Sequence, residues 1–199
     1  KIQSGKKWTD IFPGIASLNI NTQGNGINVD IRITKKEGEK VASVKFQNVT
    51  SYLAYEGLII ESPHFGKLQI DVAYGGNFYA IIDPQENFQD MSDYTADELI
   101  AMSREIRNAI NKAADFVHPL DTSINGCSHV MWTGKPTKQN STARNAVFYG
   151  DKAIDRSPCG TGTSARMAQW FAKGKLKVGD TFIHESIIGS QFIGKVEKE

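Results

Sequence analysis

The sequence predicts a single domain of the mixed α+β class, and three observations support this prediction. Through the first 60 of 199 residues, β-branched and aromatic side chains alternate with polar ones, which is typical of strands with one exposed face. Two later stretches, beginning at Thr95 and near Thr161, have the apolar spacing of helices. No internal repeat, low-complexity tract or linker is visible, so one domain is expected to cover residues 1–199.

Strands are predicted where alternating or β-branched runs lie between turn residues. The first two, separated by the polar run Lys36–Glu39, are typical of a hairpin. The Gly75-Gly76 pair lies between two later strands, and there the backbone is expected to approach another segment closely or to bulge. The predicted strands are Asn28–Thr34, Val41–Phe46, Gly66–Ala73, Phe78–Ile82, Ser128–Thr133, Ala143–Tyr149, Thr181–Ile187 and Gln191–Val196.

Two helices are predicted. Thr95 can cap the first, and Glu98 can reach back to it in a capping box. Pro119 lies beyond the end of this helix, where it stops helical continuation. The second helix is predicted from about Thr161 to Lys173, and Gly174 is suited to end it. The apolar residues that predict one buried face of the first helix are Leu99, Met102, Ile106, Ile110 and Ala113.

The charge balance and hydropathy argue against two classes of partner. Twenty-three basic and 22 acidic side chains leave a formal charge of +1 with no run of five like charges, so no nucleic-acid partner is expected. No apolar stretch approaches the roughly 20 residues that cross a bilayer, and Lys1–Gly5 does not open a signal peptide. No membrane partner is therefore expected, and a cytoplasmic location is predicted.

Two cysteines, Cys127 and Cys159, are separated by a distance that matches no CxxC metal or redox pattern. A disulfide between them stays open on sequence grounds. Two free thiols in a reducing compartment are the favoured interpretation for a chain of this length. The first residue is Lys, which suggests that the chain is a piece of a longer protein.

The segment Asp155–Ala165 joins a predicted strand to the second helix and places Cys159 where that helix begins. Unpaired N–H groups and a partial positive charge at a helix N-terminus favour a thiolate, which predicts a lowered pKa for Cys159. Gly160 and Gly162 remove side chains beside the thiol, so a ligand carboxylate could reach the backbone amides of Gly160 and Thr161. Alternatively, Cys159 is a small buried residue after a turn.

The run DRSPCGTGTSARMA, Asp155–Ala168, resembles the second catalytic motif of the proline racemase family almost residue for residue. The resemblance extends through Val72–Ala80, His118-Pro119 and Phe182–Ile187. This family includes proline racemases, 4-hydroxyproline epimerases and trans-3-hydroxyproline dehydratases. The resemblance implies a diaminopimelate-epimerase-like fold, in which a mixed, curved sheet wraps around a central helix and a further long helix is present.

The resemblance also implies a chemistry. Two cysteines act on opposite faces of the substrate Cα, one removing a proton and the other returning one, without pyridoxal phosphate, metal or other cofactor. Cys159 matches the second of these cysteines, and Gly160 and Thr161 match the backbone donors to the substrate carboxylate. Asp155 matches the carboxylate that meets the ring nitrogen. The dehydratase branch usually carries threonine in place of Cys159, so the cysteine favours racemases and epimerases.

Two further residues are assigned to the substrate pocket through the resemblance. The family position 30 residues before the second cysteine is histidine in hydroxyproline epimerases, and this chain has His129 there. An imidazole can pair with a ring hydroxyl, so hydroxyproline is the favoured substrate, with an ordinary half-buried histidine as the alternative. Tyr149, at the end of a strand, either lines the same pocket or is a core aromatic. Cys127 matches no catalytic position.

The first catalytic motif of the family, a Met-Cys-Gly-His-type segment, and its C-terminal return segment are absent from this chain. The chain is therefore expected to supply one half of an active site. Three hypotheses remain: a 4-hydroxyproline epimerase half-site, a proline racemase half-site, and a non-catalytic domain that binds an imino acid. Each takes a small imino acid as its ligand, and a homodimeric full-length protein is left open.

Overall fold

The structure is a computed structural model that describes residues 16–22, 25–37 and 40–198, with side chains described from residue 43 onward. Its contacts divide the chain into two compact units, residues 1–49 and 50–199, where the sequence predicts one domain. In the described part of the first unit, strands β1 (Ala16–Thr22), β2 (Asn25–Glu37) and β3 (Lys40–Phe46) form an antiparallel sheet in that order. The predicted hairpin is therefore confirmed, while its turn at Gly38-Glu39 lies outside the described residues.

The second unit contains a mixed sheet of eight strands in the order β13-β12-β10-β9-β6-β5-β4, with β11 pairing with β10 off this path. Neighbours pair antiparallel except for β6 with β9 and β10 with β12, which pair parallel. A separate two-stranded ribbon joins β7 and β8. The strands are β4 (Tyr52–Ser62), β5 (Gly66–Tyr74), β6 (Phe78–Ile82), β7 (Val117–His118), β8 (Asp121–Asn125), β9 (His129–Gly134), β10 (Ala143–Tyr149), β11 (Ala153–Ile154), β12 (Thr181–Glu185) and β13 (Gln191–Lys195).

Two α-helices and one short 3₁₀ helix, Met91–Asp93, complete the second unit. Helix α1 (Ala96–Ala113) begins after Thr95, which forms the predicted capping box with Glu98. Its predicted apolar face is buried except at Ala113, which is exposed because the helix ends there. Helix α2 (Gly160–Ala172) begins one residue before the predicted start. Among the described residues, neither helix combines the length and hydropathy that a membrane span requires.

The two helices lie on opposite faces of the sheet. On the α1 face, Trp132 of β9 is fully buried and donates a hydrogen bond from its indole to Ser103 Oγ of α1, at 2.7 Å. On the other face, α2 contacts β4 and β5 towards one end of the sheet and β13 at the other. Strands near opposite edges of one sheet can contact the same helix only if the sheet curves around that helix. The predicted α+β class, with a curved mixed sheet around a central helix, is confirmed.

Strand alternation decides which side chains meet α2. Tyr79 and Ile81 of β6, Met131 of β9 and Val147 of β10 share the α2 face, where they form a buried cluster with Ala73 and Ala165. Cys159 packs against the same cluster. The apolar layer beneath α2 therefore extends to the thiol of Cys159, at the N-terminal end of the helix.

Candidate active site

A chain of hydrogen bonds shapes the turn between β11 and α2. The N–H of Asp155 donates to the carbonyl of Val147 at 2.8 Å, which ties the turn to β10. The Asp155 carboxylate accepts from the N–H and the hydroxyl of Ser157, at 2.8 and 3.0 Å. Ser157 Oγ in turn accepts from the N–H of Cys159 at 3.1 Å. The N–H of Thr163 then donates to the Cys159 carbonyl at 2.8 Å and closes the first turn of α2.

Cys159 occupies the N-cap position of α2 with a φ of +63°. It is the only non-glycine residue with a positive φ among the described residues. A side chain in this left-handed region is strained, and such strain is concentrated at functional sites because the surrounding structure must hold it. The hydrogen bonds of Ser157 and Thr163 to the Cys159 backbone provide that support.

The thiol lies between polar groups on one side and glycine on the other. Cys159 Sγ is 3.3 Å from the hydroxyl of Tyr79 and 4.0 Å from Thr161 Oγ1. A Cβ on Gly162 would lie 3.1 Å from the sulfur, so this glycine leaves room for the thiol. A Cβ on Gly160 would meet nothing within 4 Å. The space beside Gly160 is therefore unoccupied by protein atoms, whereas Gly162 leaves room for the thiol.

The predicted lowering of the Cys159 pKa was wrong. Burial raises the pKa of this thiol, and the nearby charge of Asp155 acts in the same direction. Hydrogen bonds from Tyr79, from the Gly162 N–H and from Thr161 favour the thiolate but only partly offset the burial. Cys159 is accordingly a protonated thiol at neutral pH in this structure. Both cysteines are free, as the sequence favours.

His129 lies beside the same site. It pairs with Tyr79 across β9 and β6, and the two ring centroids are 4.8 Å apart. Its Nδ1 is 2.8 Å from Ser128 Oγ. Burial lowers the pKa of His129 to about 4, assisted by Arg107 and opposed by Asp155. The imidazole is therefore neutral at physiological pH, so one ring nitrogen donates a hydrogen bond and the other accepts one.

The structure brings five of the six predicted site residues together. Cys159, Gly160 and Thr161 form the start of α2, and the charge of Asp155 acts on both Cys159 and His129. Tyr149 is 46% exposed at the end of β10, two residues beyond Val147. By strand alternation it faces the same side of the sheet as Val147, so it lies towards the rim of the site and is not a core aromatic.

Tyr79 has no predicted role, yet its hydroxyl contacts the thiol of Cys159. The resemblance to the family could have pointed to this residue, because Tyr79 lies in the matched run Val72–Ala80. A fully buried tyrosine needs a hydrogen-bond partner, and Tyr79 has one in Thr161 Oγ1 at 2.5 Å. Which partner it has depends on packing between β6 and α2, and a single sequence does not show this.

A buried polar network, also unpredicted, fastens α2 to the sheet. Arg166 pairs with both carboxylate oxygens of Asp83, at 2.6 and 2.9 Å. The side-chain amide of Gln169 donates to Asp71 at 2.6 Å and to Asp83 at 3.0 Å. Gly75 permits a close approach near the start of the helix, because a Cβ there would overlap the Thr161 carbonyl oxygen. The predicted close approach at the Gly75-Gly76 pair is therefore confirmed.

This arrangement can carry out proton transfer at a carbon next to a carboxylate. The Cys159 thiol lies beside the open space at Gly160, and backbone N–H groups at the start of α2 can bind an anion. The Asp155 carboxylate and the neutral His129 imidazole flank these groups. A family model described as proline racemase matches residues 13–199. This chain belongs to the proline racemase family.

The proline racemase relatives include two named 4-hydroxyproline 2-epimerase. The protein from Spirosoma linguale is 57% identical over 187 residues, covering 94% of this chain and 54% of that protein. The one from Ancylobacter novellus is 55% identical over 189 residues, covering 95% of this chain and 55% of its own length. The chain therefore spans about half the length of these relatives.

Solved structures of the family have the same fold. A probable proline racemase from Agrobacterium radiobacter, with bound carbonate, matches with a TM-score of 0.75 and 28% identity over 92% of this chain and 54% of that one. A hydroxyproline epimerase from Agrobacterium vitis, with bound trans-4-hydroxy-L-proline, matches with a TM-score of 0.74 and 30% identity over 86% of this chain and 50% of that one.

Proposed function

We propose that the protein to which this chain belongs epimerises 4-hydroxyproline at Cα without a cofactor, and that Cys159 is one of its two reacting thiols. The observation that carries the proposal is the strained N-cap position of Cys159 beside open space at Gly160. The relatives named 4-hydroxyproline 2-epimerase, at 55% and 57% identity, support the choice of reaction.

In the proposed reaction, a thiolate on one face removes the Cα proton and the electron pair of the broken C–H bond passes into the carboxylate. A thiol on the opposite face then donates its proton to Cα. Cys159, with its pKa raised by burial, starts as the thiol that donates a proton in one direction. In the other direction it starts as the thiolate, removes the Cα proton and ends as the thiol. The second thiol is proposed to come from outside this chain, because Cys127 is only 1% exposed and cannot contact a substrate.

The amides of Gly160 and Thr161 are proposed to bind the substrate carboxylate. Hydrogen bonds there strengthen as negative charge develops on the carboxylate, so they lower the barrier to proton removal. Asp155 is proposed to meet the ring ammonium group. Its two oxygens already accept hydrogen bonds from Ser157, which hold the carboxylate in one orientation.

The choice of hydroxyproline over proline rests on His129. A neutral imidazole can donate to or accept from a ring hydroxyl, and burial keeps this imidazole neutral. The Agrobacterium vitis structure, which contains trans-4-hydroxy-L-proline, supports the same class of ligand. A reducing, cytoplasmic compartment is part of the proposal, because both thiols are free.

The test is polarimetry of the full-length protein on trans-4-hydroxy-L-proline and on L-proline under identical conditions. We expect inversion of both, with a higher kcat/KM for hydroxyproline. A preference for proline would favour a proline racemase. Binding of both compounds without inversion of either would favour a non-catalytic imino-acid-binding domain.

A further inference from the structure

Tyr79 contacts three residues of the proposed site. Its hydroxyl is 3.3 Å from Cys159 Sγ and 2.5 Å from Thr161 Oγ1, and its ring packs against that of His129. The side chain is fully buried between β6 and α2. A group in this position can influence the thiol without needing to contact a substrate.

The hydroxyl of Tyr79 keeps its proton. Burial raises the pKa of Tyr79 well above its ordinary value, and the neighbouring Cys159 adds to the rise. A protonated phenol has one hydrogen to donate and lone pairs with which to accept. Tyr79 can therefore donate to one neighbour while it accepts from another.

The protonation state of Cys159 restricts how these three groups can be arranged. A thiolate has no hydrogen to donate, so the arrangement that satisfies it has Tyr79 donating to the sulfur and Thr161 donating to the Tyr79 oxygen. A thiol at Cys159 leaves the Tyr79 hydrogen free to turn towards Thr161 Oγ1. The phenol can thus follow the proton on the sulfur with a small rotation of its O–H bond.

We propose that Tyr79 is a positioning residue whose hydroxyl donates a hydrogen bond to the Cys159 thiolate, keeps the sulfur beside the opening at Gly160 and offsets its burial. The inference rests on the proposed function, because it takes Cys159 to be the thiol that exchanges the Cα proton. Tyr79 thereby lowers the free energy needed to form the buried thiolate during turnover.

The test is the pH dependence of alkylation of Cys159 by iodoacetamide in the full-length protein, measured by mass spectrometry on the peptide that contains Cys159. Tyr79→Phe keeps the ring against His129 and removes only the hydroxyl. A lost hydrogen bond to a charged group corresponds to about one pKa unit. We therefore expect the midpoint to rise by about one pH unit and the rate at neutral pH to fall about tenfold.

Two controls separate this effect from loosening of the fold. Tyr55→Phe makes the same chemical change and should leave the midpoint unchanged, because the Tyr55 hydroxyl donates to the Asp115 carbonyl and not to the thiol. Cys127, which is 1% exposed, should stay unreactive in every variant. Replacing Tyr79 with 3-fluorotyrosine keeps the ring and strengthens the donor, so the midpoint should fall.

An unchanged or lower midpoint in Tyr79→Phe, with Cys127 unreactive, would overturn the proposal. If Tyr79→Phe makes Cys127 reactive, that variant has loosened the fold, and the protein with 3-fluorotyrosine at position 79 is used in its place. An unchanged alkylation midpoint of Cys159 in that protein would overturn the proposal. Alkylation does not require turnover, so the midpoint can shift in a protein that inverts no imino acid. A midpoint shift without inversion would reject the proposed function but support the hydrogen bond from Tyr79 to the thiolate. Inversion of an imino acid without a midpoint shift would reject only the role of Tyr79.

Discussion

Cys159 combines two features that oppose each other. Its position at the start of a helix and its hydrogen bonds favour the thiolate, while its burial favours the thiol and raises its pKa. Burial outweighs the other two influences, so the thiol is the favoured form at neutral pH. Burial likewise keeps His129 neutral and therefore able to pair with an uncharged hydroxyl.

We predict that Cys159→Ser in the full-length protein abolishes inversion and leaves ligand binding largely intact. A serine hydroxyl is a far weaker base than a thiolate at neutral pH, and loss of a general acid–base typically costs about a thousandfold. Polarimetry measures the rate and calorimetry the binding. Cys127→Ala is the matched control, which should retain activity. Turnover by Cys159→Ser at the wild-type rate would remove this thiol from the mechanism.

We predict that His129→Cys narrows the preference for hydroxyproline over proline. An unpaired hydroxyl partner costs on the order of 1–3 kcal/mol, so kcat/KM for hydroxyproline should fall by roughly tenfold or more while that for proline is spared. Parallel assays on the two substrates check this. An equal loss on both would show that His129 is structural, and an unchanged ratio would show that it does not contact the hydroxyl.

Helix α2 carries the site, and the elements around it hold its first turn in place. The curved sheet contacts α2 through strands near both edges of the sheet. Arg166 and Gln169 of the helix bind the carboxylates of Asp83 and Asp71 beneath it. Gly75 allows the strand-end backbone to approach Thr161 more closely than any side chain would permit. Helix α2, which begins at the Cys159 cap, is therefore held by residues far away in sequence, since Arg166 and Asp83 are 83 positions apart.

We predict that three glycine-to-alanine substitutions rank in a fixed order of cost in the free energy of unfolding. Gly75→Ala should cost about 1–3 kcal/mol, because its Cβ would overlap the Thr161 carbonyl and lie 2.5 Å from the Ala165 nitrogen. Gly162→Ala should cost less, because one of the three atoms that its Cβ would meet at 3.1 Å is the flexible end of Met131. Gly160→Ala should be neutral or stabilising, because its Cβ meets nothing.

Urea denaturation of the three variants measures these costs. Equal destabilisation at Gly75 and Gly160 would show that α2 adjusts freely, and the close approach at Gly75 would then have no role in positioning the site.

At the scale of the whole molecule, burial of polar groups links the fold to pH. Burial lowers the pKa of His184 to about 3 and that of His129 to about 4. Both imidazoles are neutral in the folded chain, whereas in the unfolded chain they bind protons below about pH 6.5. The unfolded state therefore gains protons first as the pH falls.

We predict that stability is full above about pH 6.5 and declines as the pH falls through the range to about 4. Each buried imidazole should contribute on the order of 1 kcal/mol per pH unit in this window. Urea midpoints between pH 4.5 and 7.5 measure the slope. His184→Gln should flatten it, and His64→Gln, at an exposed position, should not. Equal slopes in wild type and His184→Gln would contradict the prediction.

We predict that this 199-residue chain alone inverts neither hydroxyproline nor proline. Its other thiol, Cys127, is 1% exposed and cannot contact a substrate, so one face of Cα has no proton donor. Polarimetry of the purified chain checks this, with the full-length protein as the positive control. Measurable inversion by the chain would refute the proposal that it supplies one half of the site.

By itself, the sequence determined the α+β class, both helices, most strands of the sheet and the segment that carries Cys159. These features depend on local patterns: capping at Thr95, alternation in the strands and the glycines around the thiol. The tertiary structure alone decided that Tyr79 contacts the thiol and that β4 extends over Tyr52–Ser62. It also decided the sign of the pKa shift at Cys159, because desolvation depends on every neighbour that packing brings near, whereas the helix terminus is visible from local sequence.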